Sequence, residues 1–68
     1  MTKNDWVIGE DNFKYFNEEG KLIVHIVKTS QGIWEAFVLG YDKVIKHEIL
    51  SVVLKGTAKA IKECGWEN

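Results

Sequence analysis

The 68-residue sequence predicts an α+β domain, in which one C-terminal amphipathic helix packs on one face of a three- to four-stranded antiparallel meander. Two observations support this fold class. Runs rich in β-branched and aromatic residues are separated by short segments that end in glycine, and the last third of the chain has helical periodicity. Hydrophobic residues make up 46% of the chain, which is typical of a folded globule. At this length we expect a single domain over residues 1–68.

The strands are defined by two predicted hairpin turns, residues 17–20 (NEEG) and 29–32 (TSQG). Each turn places glycine after three turn-compatible residues, which is typical of a type I turn followed by a G1 bulge. The turns separate predicted strands at residues 13–16, 21–28 and 33–39. Residues 6–8 are a candidate fourth strand, and residues 44–46 are expected to extend or return from the third.

A helix is predicted over residues 48–64, with glycine at position 65 ending it. Gly56 lies in the middle of this segment and allows two interpretations. Either the helix is continuous and packs closely at Gly56, or it breaks there and Thr57 caps a second short helix. The continuous helix is favoured, because the apolar arc stays in phase across the glycine. That arc comprises Ile49, Leu50, Val53, Leu54, Ala60, Ile61 and Cys64.

The two faces of the sheet follow from the turns. If both are G1-bulge turns, residues of like parity share a face. The face toward the helix is then expected to hold Phe16, Leu22, Val24, Ile26, Trp34, Ala36 and Val38. The outer face is expected to hold Phe13, Tyr15, Ile23, His25, Val27, Ile33, Glu35, Phe37 and Leu39. This outer face is mostly apolar, and within the chain only the N-terminal residues remain to cover it.

An exposed apolar face predicts a small interaction protein that binds a protein partner or a second copy of itself. A homodimer is favoured, because a core this small often needs a partner subunit. We expect a cytoplasmic protein, since the sequence shows neither a signal peptide nor a membrane-spanning run. An accessory factor of a phage or mobile element, or an inhibitor, would fit its size. The predicted partner-binding residues are Phe13, Tyr15, His25, Val27, Glu35 and Phe37.

The alternative function is nucleic-acid binding, either by stacking of bases on Phe13, Tyr15 and Phe37 or by a helix stripe of lysines. The candidate anion-binding stripe consists of Lys55, Lys59 and Lys62, although an ordinary solvated helix face is the favoured explanation of these lysines. A net charge of −1 and the absence of arginine argue against this function. A third interpretation is a structural subunit that pairs with a neighbouring chain through a sheet edge.

No catalytic residue, cofactor site or metal site is predicted. The segment from His47 to Ser51 starts like a zinc-protease motif but lacks its second histidine. Cys64, the single cysteine, lies at a helix C-terminus, where the helix dipole disfavours a thiolate. His25 and Glu35 are expected to form an ordinary cross-strand contact rather than a catalytic pair. We therefore expect no enzyme.

Overall fold

The computed structural model describes residues 5–66 and contains one antiparallel sheet and one helix. The strands lie in the sheet in chain order, β1-β2-β3-β4-β5, as a simple meander. This confirms the predicted α+β fold, with one strand more than the largest expected number, since both short candidate segments are edge strands. The elements are β1 (Asp5–Ile8), β2 (Asn12–Phe16), β3 (Leu22–Lys28), β4 (Trp34–Val38), β5 (Ile45–His47) and α1 (Leu50–Glu63).

The turns on either side of β3 are built alike. The N–H groups of Gly20 and Gly32 donate to the carbonyls of Asn17 and Thr29, at 2.9 and 3.0 Å. Both glycines have a positive φ, 81° and 82°, which the left-handed position of a G1 bulge requires. The side-chain oxygens of Asn17 and Thr29 each accept main-chain N–H groups two and four residues later. Both predicted turns are therefore confirmed.

A β-bulge in the first hairpin turns the side chains of β2 to the faces opposite to those predicted. Tyr15 pairs with Val24, but Phe16 pairs with Leu22, so β3 contains one extra residue at this β-bulge. The turn itself is therefore as predicted, but the rule that residues of like parity share a face fails between β2 and β3. The placement of Phe13 and Tyr15 on the outer face was wrong: both lie on the face toward the helix, and Phe16 faces outward.

The second hairpin has no such shift, and the predicted faces are confirmed for β4 and for β3 from Val24 onward. The placement of Leu22 on the face toward the helix was wrong, because Leu22 lies before the bulge and pairs with the outward-facing Phe16. Val24 pairs with Val38 and Ile26 with Ala36, and these four side chains are buried on the face that packs against α1. His25 pairs with Phe37 and lies on the opposite face.

The helix is continuous across Gly56, as predicted, and this glycine is where it approaches the sheet. A Cβ at position 56 would lie 3.0 Å from Cγ2 of Ile45 in β5, so only glycine fits without displacing that side chain. Thr57 is buried, and its hydroxyl donates to the Val53 carbonyl at 2.7 Å. Thr57 therefore packs in the core and does not begin a second helix.

The helix begins two residues later than predicted. Ile49 is its N-cap residue in an extended conformation, and two members of the predicted apolar arc, Ile49 and Leu54, are exposed. The buried residues of α1 are Val53, Thr57, Ala60 and Ile61.

A Schellman motif ends the helix. Gly65 has a φ of 78°, and its N–H donates to the Lys62 carbonyl at 3.1 Å, while the N–H of Trp66 donates to the Ile61 carbonyl at 3.0 Å. The indole Nε1–H of Trp66 then donates to the Leu39 carbonyl at 2.7 Å. The end of the helix is thereby fastened to the chain just after β4.

The helix lies over β4 and β5 and leaves the β1 side of the same face less covered. Trp6 of β1 therefore remains partly exposed, although its ring contacts Tyr15 at a centroid distance of 5.0 Å. Within residues 5–66, no helix is long and apolar enough to cross a bilayer.

Candidate protein-binding surface

The sheet face opposite α1 is the open sheet face. Its side chains form two rows across the strands, because directly paired residues of an antiparallel sheet point to the same side. Within residues 5–66, no helix or strand packs on this face. The rows are Val7, Lys14, His25 and Phe37, and Asn12, Val27, Glu35 and Lys46.

One end of the open sheet face is apolar. Phe37 is 44% exposed, although aromatic side chains of this size are usually buried when a covering element is present. Leu22 and Leu39 are similarly exposed, and with Phe37 and His25 they line a shallow hollow whose floor includes the buried Ile23.

The other end of the face carries charges of both signs. Glu35 of β4 pairs with Lys46 of β5 at this end, whereas Lys14 of β2 lies in the row of His25 and Phe37. Glu35 and Lys14 are half-buried against their neighbours, while Lys46 is exposed. The face therefore has an apolar end and a mixed polar end, rather than a field of one sign.

The structure brings four of the six predicted partner-binding residues together and separates the other two. His25, Val27, Glu35 and Phe37 all lie on the open sheet face. His25 and Glu35 are diagonal neighbours there, as expected for an ordinary cross-strand contact.

The two misplaced aromatic residues belong to the opposite face. Tyr15 is in the core cluster, and the Phe13 ring lies 5.8 Å from the Trp34 ring, which also has Lys28 Nζ 5.7 Å from its centroid. Phe13 and Tyr15 are thus unavailable to a ligand bound on the open sheet face.

Val7 was not predicted to belong to this surface. The N-terminal residues were expected to cover part of the outer face, whereas β1 lies in the plane of the sheet and extends that face. The sequence signal available was that Val7, in a strand, points to the opposite side from its larger neighbours Trp6 and Ile8. This signal is weak over a strand of only four residues.

The three lysines of the helix stripe, Lys55, Lys59 and Lys62, are all exposed. They lie on α1, on the side of the sheet opposite the open sheet face. A single small ligand therefore cannot contact both surfaces.

A second apolar concavity lies between β1 and α1 and has a volume of about 220 Å³. It exists because the helix is displaced toward β4 and β5. Its lining consists of Trp6, Tyr15, Leu54, Thr57, Ala58 and Ile61. The polar side-chain groups among these are the Trp6 indole N–H, the Tyr15 phenol and the Thr57 hydroxyl, and the last of these already donates to the Val53 carbonyl.

Metal-binding side chains do not cluster in the described part of the chain. Within residues 5–66, no three His, Cys, Asp or Glu side chains are placed to hold a metal ion. His47 Nδ1 accepts the N–H of Ile49 at 3.0 Å just before the helix, and Cys64 is half-buried with a free thiol. Comparisons of the chain with models of known families, with curated proteins and with solved structures find no match.

Proposed function

We propose that this chain is a small, non-enzymatic, cytoplasmic interaction protein whose open sheet face binds a protein partner. The observation that supports it is the exposure of Leu22, Phe37 and Leu39 around one hollow of a sheet face that no described element covers. Contiguous exposed apolar side chains of this kind commonly mark binding surfaces. A single cysteine without a disulfide partner suits a reducing compartment.

The dimensions of the face agree with a compact protein contact. Five strands spaced about 4.8 Å apart, with about five residues each at about 3.3 Å, give a projected area of about 400 Å². Side-chain relief increases the accessible area above this value, while a standard interface buries about 800 Å² per partner. The open sheet face therefore supplies a large part of such an interface.

The distribution of residues is also that of an interface. Phe37 is an aromatic anchor beside a hollow, and Lys14, Glu35 and Lys46 form a polar surround of both signs. An inhibitor or accessory factor needs no more than such a face, because it acts by occupying the partner's surface.

Nucleic-acid binding has less support on this face. Its expected stacking platform needed Phe13 and Tyr15 beside Phe37, and both lie on the other side of the sheet. The face is left with Phe37 and the half-buried Phe16, and Glu35 offsets one of its two lysines. Phosphate neutralisation, which supplies most nonspecific affinity, is therefore limited.

The test compares two aspartate variants of similarly exposed apolar residues. Phe37→Asp places a charge on the open sheet face, and Val52→Asp places one on the outer surface of α1, where Val52 is 42% exposed. Both variants should keep the wild-type circular dichroism spectrum. A partner captured by tagged wild-type protein should be retained by V52D and lost by F37D.

Two outcomes would contradict the proposal. One is equal binding of the partner, or of a second copy, by folded F37D and wild-type protein. The other is micromolar binding of a short single-stranded oligonucleotide at low salt, measured by fluorescence anisotropy and abolished by F37D. Nucleic acid would then be the ligand of the face.

A further inference from the structure

The outer edge of β1 carries main-chain groups that no described strand pairs with. The N–H of Gly9 donates to the Asn12 carbonyl at 2.8 Å at the start of the β1–β2 hairpin. Hydrogen bonding in an antiparallel pair alternates from residue to residue, so Val7 also bonds toward β2. The N–H and C=O groups of Trp6 and Ile8 consequently point away from the sheet.

The side chains of this edge are apolar and exposed. Trp6, Val7 and Ile8 are 42%, 52% and 71% exposed, and Ile8 has the highest exposure of the large hydrophobic residues in the described chain. Sheet edges in soluble proteins are usually protected from pairing by lysine, proline, a bulge or a very short strand. Residues 6–8 have none of the protecting residues, and β1 pairs with β2 without a register shift.

The opposite edge of the sheet shows that protection. The strand β5 has only three residues, and Lys46 and His47 are exposed on it. The two edges of one sheet thus differ in charge and in apolar exposure. Of the two, the β1 edge is the better suited to accept another strand.

We propose that β1 pairs with β1 of a second copy of this chain, antiparallel about a two-fold axis at Val7. In this register Trp6 is opposite Ile8 of the second copy, and Val7 is opposite its own equivalent. The outward N–H and C=O groups of Trp6 and Ile8 form four hydrogen bonds across the axis, two for each of the two symmetry-related pairs. A second copy fits because the edge is complementary to itself under this rotation, as an isologous interface requires.

The pairing also covers the exposed side chains. Directly paired residues share a face, so Ile8 of one copy packs against Trp6 of the other on the helix side. The result is a continuous ten-stranded sheet with both helices on one side and both open sheet faces on the other. The dimer therefore leaves the open sheet face accessible, and this inference is independent of the proposed function.

Cross-linking at the axis tests the register. Non-hydrogen-bonded partners in an antiparallel pair have Cα atoms about 4.5 Å apart, which lies within the range that a disulfide spans. A Val7→Cys variant in a Cys64→Ser background should therefore form a covalent dimer of twice 7.8 kDa under mild oxidation. The control, Lys46→Cys in the same background, places an exposed cysteine on the other edge and should remain monomeric. Absence of the Val7→Cys dimer, or equal yields from both variants, would overturn the proposal.

Removal of one main-chain donor tests the hydrogen bonds. Proline is tolerated on edge strands where the N–H faces solvent, so Ile8→Pro should keep the fold while removing two of the four bonds in the dimer. Light scattering over a concentration series should show a dimer for wild type and for the control Ile8→Val. We expect Ile8→Pro to weaken dimerisation about tenfold or more. Wild-type protein that stays at 7.8 kDa up to about 1 mM, well above the micromolar range expected of a small interface, would overturn the inference.

The variant Phe37→Asp separates this inference from the proposed function. A dimer formed through β1 should persist in F37D and be lost in I8P. A dimer lost in F37D and retained in folded I8P would place the second copy on the open sheet face, which overturns edge pairing and leaves the proposed function intact. If I8P does not fold, the cysteine cross-link alone decides.

Discussion

The two faces of the sheet are built from the same strands but have different surroundings. On the closed face, Val24, Ile26 and Ala36 are fully buried beneath α1. On the open face, their neighbours His25 and Phe37 remain partly or largely exposed. Both faces carry apolar side chains, so hydrophobicity along β3 and β4 does not distinguish them. The difference is that α1, which supplies the only helical layer in the described chain, can cover one face alone.

This difference separates stability from binding. Side chains of the closed face are removed from water by folding itself, and changes there should reduce the free energy of unfolding. Side chains of the open face keep much of their exposure in the monomer, so changes there should act mainly on association. The following predictions measure that separation, from the largest expected effect to the smallest.

Truncation of a closed-face side chain should have the largest effect. Ile26 is fully buried, and Ile26→Ala should lower the free energy of unfolding by about 3 kcal/mol through lost burial and a residual cavity. A core of this size supplies only about 3–5 kcal/mol, so the variant should be largely unfolded at 37 °C. Urea denaturation followed by circular dichroism measures the change. A loss below about 1 kcal/mol would mean that the two faces contribute alike.

The close approach at Gly56 should show strong coupling to Ile45. Alanine raises helix propensity by about 1 kcal/mol, but its Cβ would meet Ile45 Cγ2 at 3.0 Å. We expect Gly56→Ala to destabilise wild-type protein by about 1 kcal/mol and to stabilise an Ile45→Ala background by about 0.5 kcal/mol. A double-mutant cycle in urea gives both values. If Gly56→Ala changed the free energy of unfolding in the same direction in both backgrounds, the contact with β5 would not be the reason for glycine at this position.

Loss of the indole hydrogen bond should have a moderate effect. Trp66→Phe keeps an aromatic ring but removes the donor that bonds the Leu39 carbonyl at 2.7 Å. We expect a loss of about 1 kcal/mol, measured by thermal unfolding. Trp6→Phe is the control on the more exposed side of the closed face, and it should change stability by less than about 0.5 kcal/mol. A control that loses as much as Trp66→Phe would assign the effect to ring size.

Truncation on the open face should have the smallest effect on stability. Phe37→Thr keeps a residue with high β-propensity and removes a side chain that is 44% exposed. The free energy of unfolding should fall by less than about 1 kcal/mol, while partner binding should weaken in parallel with F37D. Calorimetric unfolding and the capture assay give the two values. A stability loss equal to that of Ile26→Ala would remove the distinction between the faces.

The sequence predicts the register of the second hairpin because its turn residues are the only determinants of that register. The glycine of residues 29–32 has the positive φ that the turn requires, and the pairing of β3 with β4 has no irregularity. The helix was equally predictable from its periodicity, although its first turn was not. Ile49 provides no side-chain cap for α1, and its own N–H donates to Nδ1 of His47.

The half of the candidate surface contributed by β2 was not predictable. The bulge opposite Phe16 involves Leu22 and the buried Ile23, and both are large aliphatic residues. No glycine marks the extra residue, and either parity of β2 places aromatic side chains on both faces. Local sequence therefore carries no signal that separates the two registers. The choice depends on how Tyr15 and Phe13 pack with Trp6 and Trp34.

The meander has a consequence for the route by which the chain folds. Each strand pairs with its neighbour in sequence, so every sheet contact closes a short loop. The contact between α1 and β4, completed by Trp66 and Leu39, spans a longer stretch of chain than any strand pairing. Chains with mainly local contacts fold within milliseconds, and the hairpins should therefore form before the helix docks. In a variant with phenylalanine at Trp6 and Trp34, the fluorescence of Trp66, whose indole donates across that last contact, would report the docking step in rapid-mixing refolding.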